Sequence, residues 1–150
     1  SKPSLFNLLS LDQRIDHVEI DIRHFKSLES RIFEIKPDII FHLAAQPLVR
    51  YSYSNPVETY ETNVIGTVNL LDILRRLENP CVGVFITTDK CYENQEWTHS
   101  YRETDPLGGY DPYSSSKYRT FNCSHATSPL LLHMILAFIC SEHESKIDLL

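Results

Sequence analysis

Two apolar runs rich in β-branched residues, DIIFHLAA (38–45) and CVGVFITT (81–88), flank a single long stretch of helical periodicity. That order restricts the chain more than any other feature. The first run carries no polar alternation, which is the pattern of a strand covered on both faces, and the second reads the same way. Between them, apolar residues recur at 57, 60, 64, 68, 71 and 74, the stripe of an amphipathic helix over 56–78. Asn55, Pro56 and Glu58 supply N-cap, N1 and N3 start signals. Arg75 and Arg76 sit where the helix dipole favours cations, and Asn79-Pro80 stops the run. Two strands joined through a helix pair in parallel by a right-handed crossover.

The same grammar extends upstream. HVEIDIR (17–23) reads as a short strand ending at an acidic residue, and FKSLESRIFEIKPD follows with apolar residues at 25, 28, 32 and 35 before Pro37 closes it. The expected fold is therefore α/β, a parallel sheet with flanking helices. In such sheets ligands gather at the carboxyl ends of the strands. This rule selects Asp21 with Ile22, Ala44–Gln46, and Thr87–Lys90. From Tyr118 onward the pattern resists assignment. SPLLLHMILAFICSEHE reads as one apolar helix from Ser128-Pro129, apolar nearly all round and needing partners on every side.

Composition narrows the function classes. The 150 residues make one domain's worth of chain. A net charge of −6 with no Lys/Arg run argues against nucleic acid as a partner. Four Cys without C-x-x-C spacing read as reduced thiols of a cytoplasmic protein. No apolar segment with a cleavage site opens the chain, and the run at 130–140 is about half the length that spans a bilayer, so no membrane role is expected. Seven scattered His without Cys/His spacing give no metal site. Only four Gly occur, so no G-x-G-x-x-G exists anywhere in the chain.

Two clusters could do chemistry. Tyr113 and Lys117 are four residues apart, so on a helix they share a face. A neighbouring ammonium stabilises phenolate and lowers a pKa that is ordinarily about 10, making the Tyr a usable general base. On spacing alone the pair reads more readily as two solvated residues at a helix start. Thr88-Asp89-Lys90 sets a hydroxyl, a carboxylate and an amine at the end of a buried strand, the acid and base an elimination requires, or else an ordinary loop. His42, inside an apolar run, reads as a buried neutral imidazole. Trp97, Tyr92 and Tyr101 read as a base-stacking platform or, better in an acidic protein, as packing of a substrate loop.

Taken in order, PSLF, DIR, FHLAAQPLVR, NPVETYETNVIGTVNLLD, TTDKCYENQEW and YRETDPLGGYDPYSSSK resemble the extended short-chain dehydrogenase/reductases of the nucleotide-sugar epimerase/dehydratase family. DKCYENQEW followed by GGYDPYSSSK is similar to its CDP-glucose 4,6-dehydratase branch. The resemblance runs from about residue 3 to Lys117. It implies an NAD-dependent lyase of a homo-oligomeric type that converts CDP-glucose to its 4-keto-6-deoxy product. Tyr113 is then the base at the C4 hydroxyl, and Lys117 its electrostatic helper and a cofactor contact. Thr88 is a sugar contact near C4, Asp89 the acid at the C6 hydroxyl, and Lys90 the group at C5. By the same resemblance Asp21 and Ile22 meet the adenine end of NAD. Leu43, Ala44, Ala45 and Gln46 lie along its phosphates and ribose, Thr62 and Asn63 face it from the long helix, and Ser52 touches substrate. The family opens with a strand and Gly-rich turn that this sequence lacks. It also closes with a substrate domain that has no match here. The expectation is a partial Rossmann-like NAD-binding unit over 1–117, with 118–150 departing from the family pattern. The alternative is a non-catalytic remnant, or another sugar epimerase or dehydratase.

Overall fold

The structure, a computed structural model, describes residues 4–102, 104–127 and 133–139. A short helix α1 (Leu5–Leu8) and a 3-10 turn (Leu11–Gln13) precede α2 (Phe25–Ile35). There follow β1 (Ile39–His42), α3 (Val49–Ser54), α4 (Pro56–Tyr60), a π-turn (Glu61–Ile65) and α5 (Gly66–Leu74). Then come β2 (Val82–Thr88), a 3-10 turn (Asp89–Cys91), α6 (Pro112–Thr127) and β3 (His133–Ile139). The three strands form a parallel sheet in the order β1-β2-β3, with Ile39 opposite Val82 and Val82 opposite His133. This is the α/β architecture of parallel strands and flanking helices that the crossover pattern requires.

The core lies where α2 and α5 meet β2. Ile32, Leu70, Leu71, Ile73, Leu74 and Phe85 bury together, with Phe25, Leu28 and Ile40 packed around them. Each fully buried side chain of this size contributes about 1.5–3 kcal/mol. Lys36 ends α2 in the left-handed conformation, with Pro37 beyond it, as the sequence predicts. Gly66 opens α5 because Ile22 lies on it. A Cβ there would stand 2.6 Å from Ile22 Cγ2.

Several expectations are corrected. Residues 17–23 are not a strand, because no described strand lies alongside to complete a ladder. DIIFHLAA is not buried on both faces. Only Ile39–His42 pair, on one edge, and Ile39 and Phe41 are exposed while His42 is buried. Asn55 does not cap with its side chain. Its carbonyl instead accepts from the Thr59 amide and hydroxyl. The long helix also ends at Leu74 rather than 78 and contains one π-turn.

The largest corrections concern the tail. α6 does not break at Tyr118 but runs to Thr127. Within it, Thr120 and Ser124 satisfy their buried hydroxyls by donating to the carbonyls of Ser116 and Thr120. Within the run read as an apolar helix, 133–139 is a strand parallel to β2. The stretch 134–139 is apolar without interruption and so has no helical stripe, which suits a strand in a parallel sheet. The remainder of that run, 128–132 and 140–144, lies outside the described residues.

Candidate active site

The carboxyl end of β2 and the first turns of α6 converge. β2 ends in Thr88, and the 3-10 turn that follows carries Asp89 and Lys90. The Thr88 hydroxyl donates to Asp89 Oδ1 at 3.0 Å, and the Lys90 amide approaches its oxygen at 3.4 Å. Tyr113, 9% exposed, sets its phenol beside the Thr88 side chain. Lys117, one helical turn on, is buried and donates from Nζ to the Ile86 carbonyl at 3.0 Å. Lys90 is exposed. The structure thus brings Thr88, Asp89, Tyr113 and Lys117 together, with Lys90 at the rim.

The electrostatics correct one expectation. The phenol of Tyr113 is pushed up from its ordinary value, not down. Burial is the main cause, the Thr88 side chain opposes it, and the Asp89 and Asp111 carboxylates add to it. Burial lowers the pKa of Lys117. Beneath them lie two inert groups. Cys91 is pushed up to about 12, chiefly by burial. His42 is lowered to about 4 by burial and by the Lys117 charge, and its Nε2 meets Thr67 Oγ1 at 2.9 Å. His42 is therefore the buried neutral imidazole its apolar strand calls for.

The helix start that presents Tyr113 is closed on all sides. Asp111 accepts from the Ser114 amide at 2.9 Å and from the Ser114 hydroxyl. Pro112 follows at the first helical position, where no N–H is needed. The Ser52 hydroxyl accepts the Tyr113 amide at 3.1 Å. Each serine of YSSSK has its own partner: Ser114 binds Asp111, Ser115 receives the Tyr60 hydroxyl, and Ser116 receives Asn63 Nδ2. Sequence reasoning missed Asp111, Tyr60 and Ser116. The Asp-Pro step and the serine run were the available signals.

The residues expected along a cofactor divide into two groups. Ile22, Leu43 and Ala44 line one apolar cavity of about 370 Å³, together with Leu28, Ile40 and Leu70. Ala45 and Thr62 are half-buried. Asp21 instead holds Arg23 through both carboxylate oxygens, and this holds its carboxyl well below the usual range. Asn63, 1% exposed, pairs its carboxamide with the Gln46 backbone: Gln46 N donates to Oδ1 at 2.7 Å, and Nδ2 reaches Gln46 O at 3.1 Å. The Gln46 side chain meets Leu48 N, Leu48 O and Thr59 Oγ1. Ser52 is fully buried, its hydroxyl held between the Tyr113 amide and the Val49 carbonyl. The aromatic residues pack on one another: Tyr92 stacks on Tyr101 at 5.0 Å and Trp97 on His99 at 4.4 Å.

The model of the family described as GDP-mannose 4,6 dehydratase matches residues 4–148. The chain belongs to this family. Among curated members, CDP-glucose 4,6-dehydratase of Salmonella typhimurium is 54% identical over 115 residues, 77% of this chain and 32% of the relative. CDP-paratose 2-epimerase of Salmonella typhi is 32% identical over 117 residues, 73% of this chain and 34% of that relative. The chain spans about a third of the length of these curated relatives. Its fold is shared with DesIV, a dTDP-glucose 4,6-dehydratase from Streptomyces venezuelae with NAD and TYD bound. That likeness has a TM-score of 0.74 and 29% identity, over 84% of this chain and 38% of that one. The UDP-Glc/GlcNAc 4-epimerase of Campylobacter jejuni gives a TM-score of 0.76 and 26% identity over 91% and 43%. Membership of the GDP-mannose 4,6 dehydratase family thus rests on both sequence and fold. Among the described residues no helix is long and apolar enough to cross a membrane, and no group of three or more His, Cys, Asp or Glu could hold a metal ion.

Proposed function

We propose that this chain carries the reacting end of an NAD-dependent nucleotide-sugar 4,6-dehydratase that acts on CDP-glucose. The observation that carries this reading is the gathering of Thr88, Asp89 and Tyr113 at the carboxyl end of β2, with Lys117 buried one turn beyond. The 54% identity to a CDP-glucose 4,6-dehydratase supports CDP-glucose as the substrate within that class.

The residues fit NAD at its two ends. The apolar cavity wall formed by Ile22, Leu43 and Ala44 suits the flat adenine end, and Tyr113 with Lys117 suits the nicotinamide ribose. The four glycines, at 66, 83, 108 and 109, have no positive φ and form no phosphate-cradling turn, so the pyrophosphate is not held by a Gly-rich loop of these residues. When bound, NAD supplies the hydride acceptor, and later the donor, for the sugar carbons. Tyr113 takes the proton of the C4 hydroxyl, with Thr88 held against the same oxygen. Asp89 protonates the departing C6 hydroxyl, which leaves as water, while Lys90 takes the C5 proton. Lys90 then returns the proton to C5, so that the sugar loses water with no net oxidation.

The raised phenol sets a condition on this reading. In the chain as it stands Tyr113 is protonated at neutral pH, and Lys117 is engaged by Ile86. Proton acceptance therefore needs positive charge brought to the phenol, and Lys117 is the group placed to supply it. A second reading, a chain that binds without turnover, is favoured by this same raised phenol. One experiment separates them: calorimetric titration with NAD followed by a CDP-glucose dehydration assay, for wild type and Tyr113→Phe. The proposed activity expects micromolar binding by both proteins, turnover by wild type, and loss of at least a hundredfold in the variant. Binding without turnover in the wild type supports the second reading. Near-normal turnover by Tyr113→Phe overturns the assigned role.

A further inference from the structure

Both backbone poles of Tyr113 are gripped by side chains, and both grips lead back to Gln46. The Tyr113 amide donates to Ser52 Oγ at 3.1 Å, and that hydroxyl donates in turn to the Val49 carbonyl at 2.7 Å within α3. The start of α3 is held by the Gln46 side chain, whose Oε1 accepts the Leu48 amide at 2.6 Å. On the other side, the Tyr113 carbonyl accepts from Ser116 Oγ at 2.7 Å, and Ser116 Oγ accepts from Asn63 Nδ2 at 2.8 Å. The same carboxamide of Asn63 clamps the backbone N–H and C=O of Gln46. Ser52, Asn63 and Ser116 are each at most 1% exposed.

We propose that Ser52, Asn63 and Ser116 are positioning residues for Tyr113, seated by Gln46, and that the loop after β1 sets the placement of the tyrosine through them. The catalytic importance of Tyr113 rests on the reading of the preceding section; the mechanical coupling does not. Ser52 and Asn63 are covered and bonded within the protein: the Ser52 hydroxyl lies between the Tyr113 amide and the Val49 carbonyl, and the Asn63 carboxamide bonds Gln46 at both ends and Ser116. Asn63 lies within the π-turn Glu61–Ile65, and its carbonyl accepts from the hydroxyls of Thr67 and Thr120 at 2.7 and 2.8 Å. Asn63 is thereby tied to β1's exit loop, to its own helix and to α6 at once. Gln46 makes no hydrogen bond to Tyr113, so any effect of residue 46 on residue 113 travels through this frame.

The test reads Tyr113 directly in the full chain, by amide hydrogen exchange and by NMR titration of a labelled tyrosine ring. Ser52→Ala and Gln46→Ala are each expected to speed exchange of the Tyr113 amide at least tenfold and to shift the midpoint of its phenol titration. The amides of Ile73 and Phe85 in the core should stay unchanged. Ser52→Thr, which keeps the hydroxyl, is expected to restore the wild-type exchange. Should Gln46→Ala fold poorly, Gln46→Glu keeps the acceptor for Leu48 N and loses the donor to Thr59, and the same readouts apply with a smaller change. Unaltered exchange and titration of Tyr113 in the Gln46 variants overturns the coupling. A rise in KM for CDP-glucose in Ser52→Ala, with kcat and the Tyr113 titration unmoved, overturns the positioning role in favour of substrate contact. If Tyr113→Phe keeps its turnover, the proposed chemistry fails while the exchange arm still decides the coupling.

Discussion

His42 shows how one buried side chain ties this fold to pH. It is 5% exposed, faces Phe85 edge-on at 5.5 Å, and has its pKa lowered from 6.5 to about 4 by burial and by the Lys117 charge. The folded value lies below the unfolded one, so the native state binds the proton less readily than the unfolded chain. The stabilisation is whole above pH 6.5 and drains as the pH falls toward about 4. A shift of this size corresponds to about 3 kcal/mol. Urea unfolding at pH 7 and pH 4.5 should therefore show a fall of about 2–3 kcal/mol in wild type. His42→Asn, which no longer titrates, should fall by clearly less. Equal falls in the two proteins would sink the assignment. The residue was legible in the sequence as a neutral core imidazole because an apolar run surrounds it. The direction of the Tyr113 phenol was not legible. A Tyr-x-x-x-Lys spacing says nothing about whether the ammonium reaches the phenol, and in this structure it reaches the Ile86 carbonyl instead.

At the scale of elements, the placement of α6 depends on how closely the preceding loop passes beneath it. A Cβ on Gly109 would stand 2.6 Å from the Ser115 amide nitrogen and 2.7 Å from the Ser114 carbonyl carbon. Those are backbone atoms of the helix's first turn, and they cannot yield without moving Tyr113. Gly109→Ala is expected to lower stability by about 1–3 kcal/mol. It should also speed exchange of the Tyr113 amide, while Gly108→Ala, whose added Cβ would meet Glu93 Cβ at 3.3 Å rather than helix backbone below 3 Å, should cost less. Denaturant unfolding of both variants checks the order, and a reversal would refute it. The start of α6 could be read from Asp111 and Pro112, but its continuation past Lys117 could not. YRTFNCSHAT is a poor helix former by local propensity, and propensity is a weak prior that tertiary contacts override. Here the override is specific: Thr120 bonds the Asn63 carbonyl across to the neighbouring helix. β3 was misread for a related reason. Periodicity cannot separate a strand from a helix in a nearly unbroken apolar run such as 130–140.

At the scale of the whole molecule, the sequence pattern reached the parallel sheet, the crossover through α5 and the strand end that carries Thr88, because these follow from local periodicity and one handedness rule. It did not reach the state of residues 17–23, since a strand exists only by pairing and no local signal reveals its neighbour. What those residues do instead is bring Ile22 over Gly66 and into the wall of the cavity shared with Leu43 and Ala44, while Asn69 Nδ2 bonds the Ile22 carbonyl at 3.2 Å. The adenine end assigned to this cavity and the Tyr113–Lys117 end lie on different elements, so a dinucleotide spanning both would add a brace to those already made through Asn63 and Ser52. A ligand that binds only the native state adds about 2.7 kcal/mol at a hundredfold excess over its Kd, which for a chain of this length raises Tm by several degrees. NAD is accordingly expected to raise Tm in a concentration-dependent way. Ile22→Asp, which sets a carboxylate in the cavity wall, should abolish the rise, and Lys117→Ala should reduce it. The phenol of Tyr113 should also titrate lower with NAD present than without it. A Tm insensitive to millimolar NAD in the wild-type chain would remove the cavity and the strand end from one shared site.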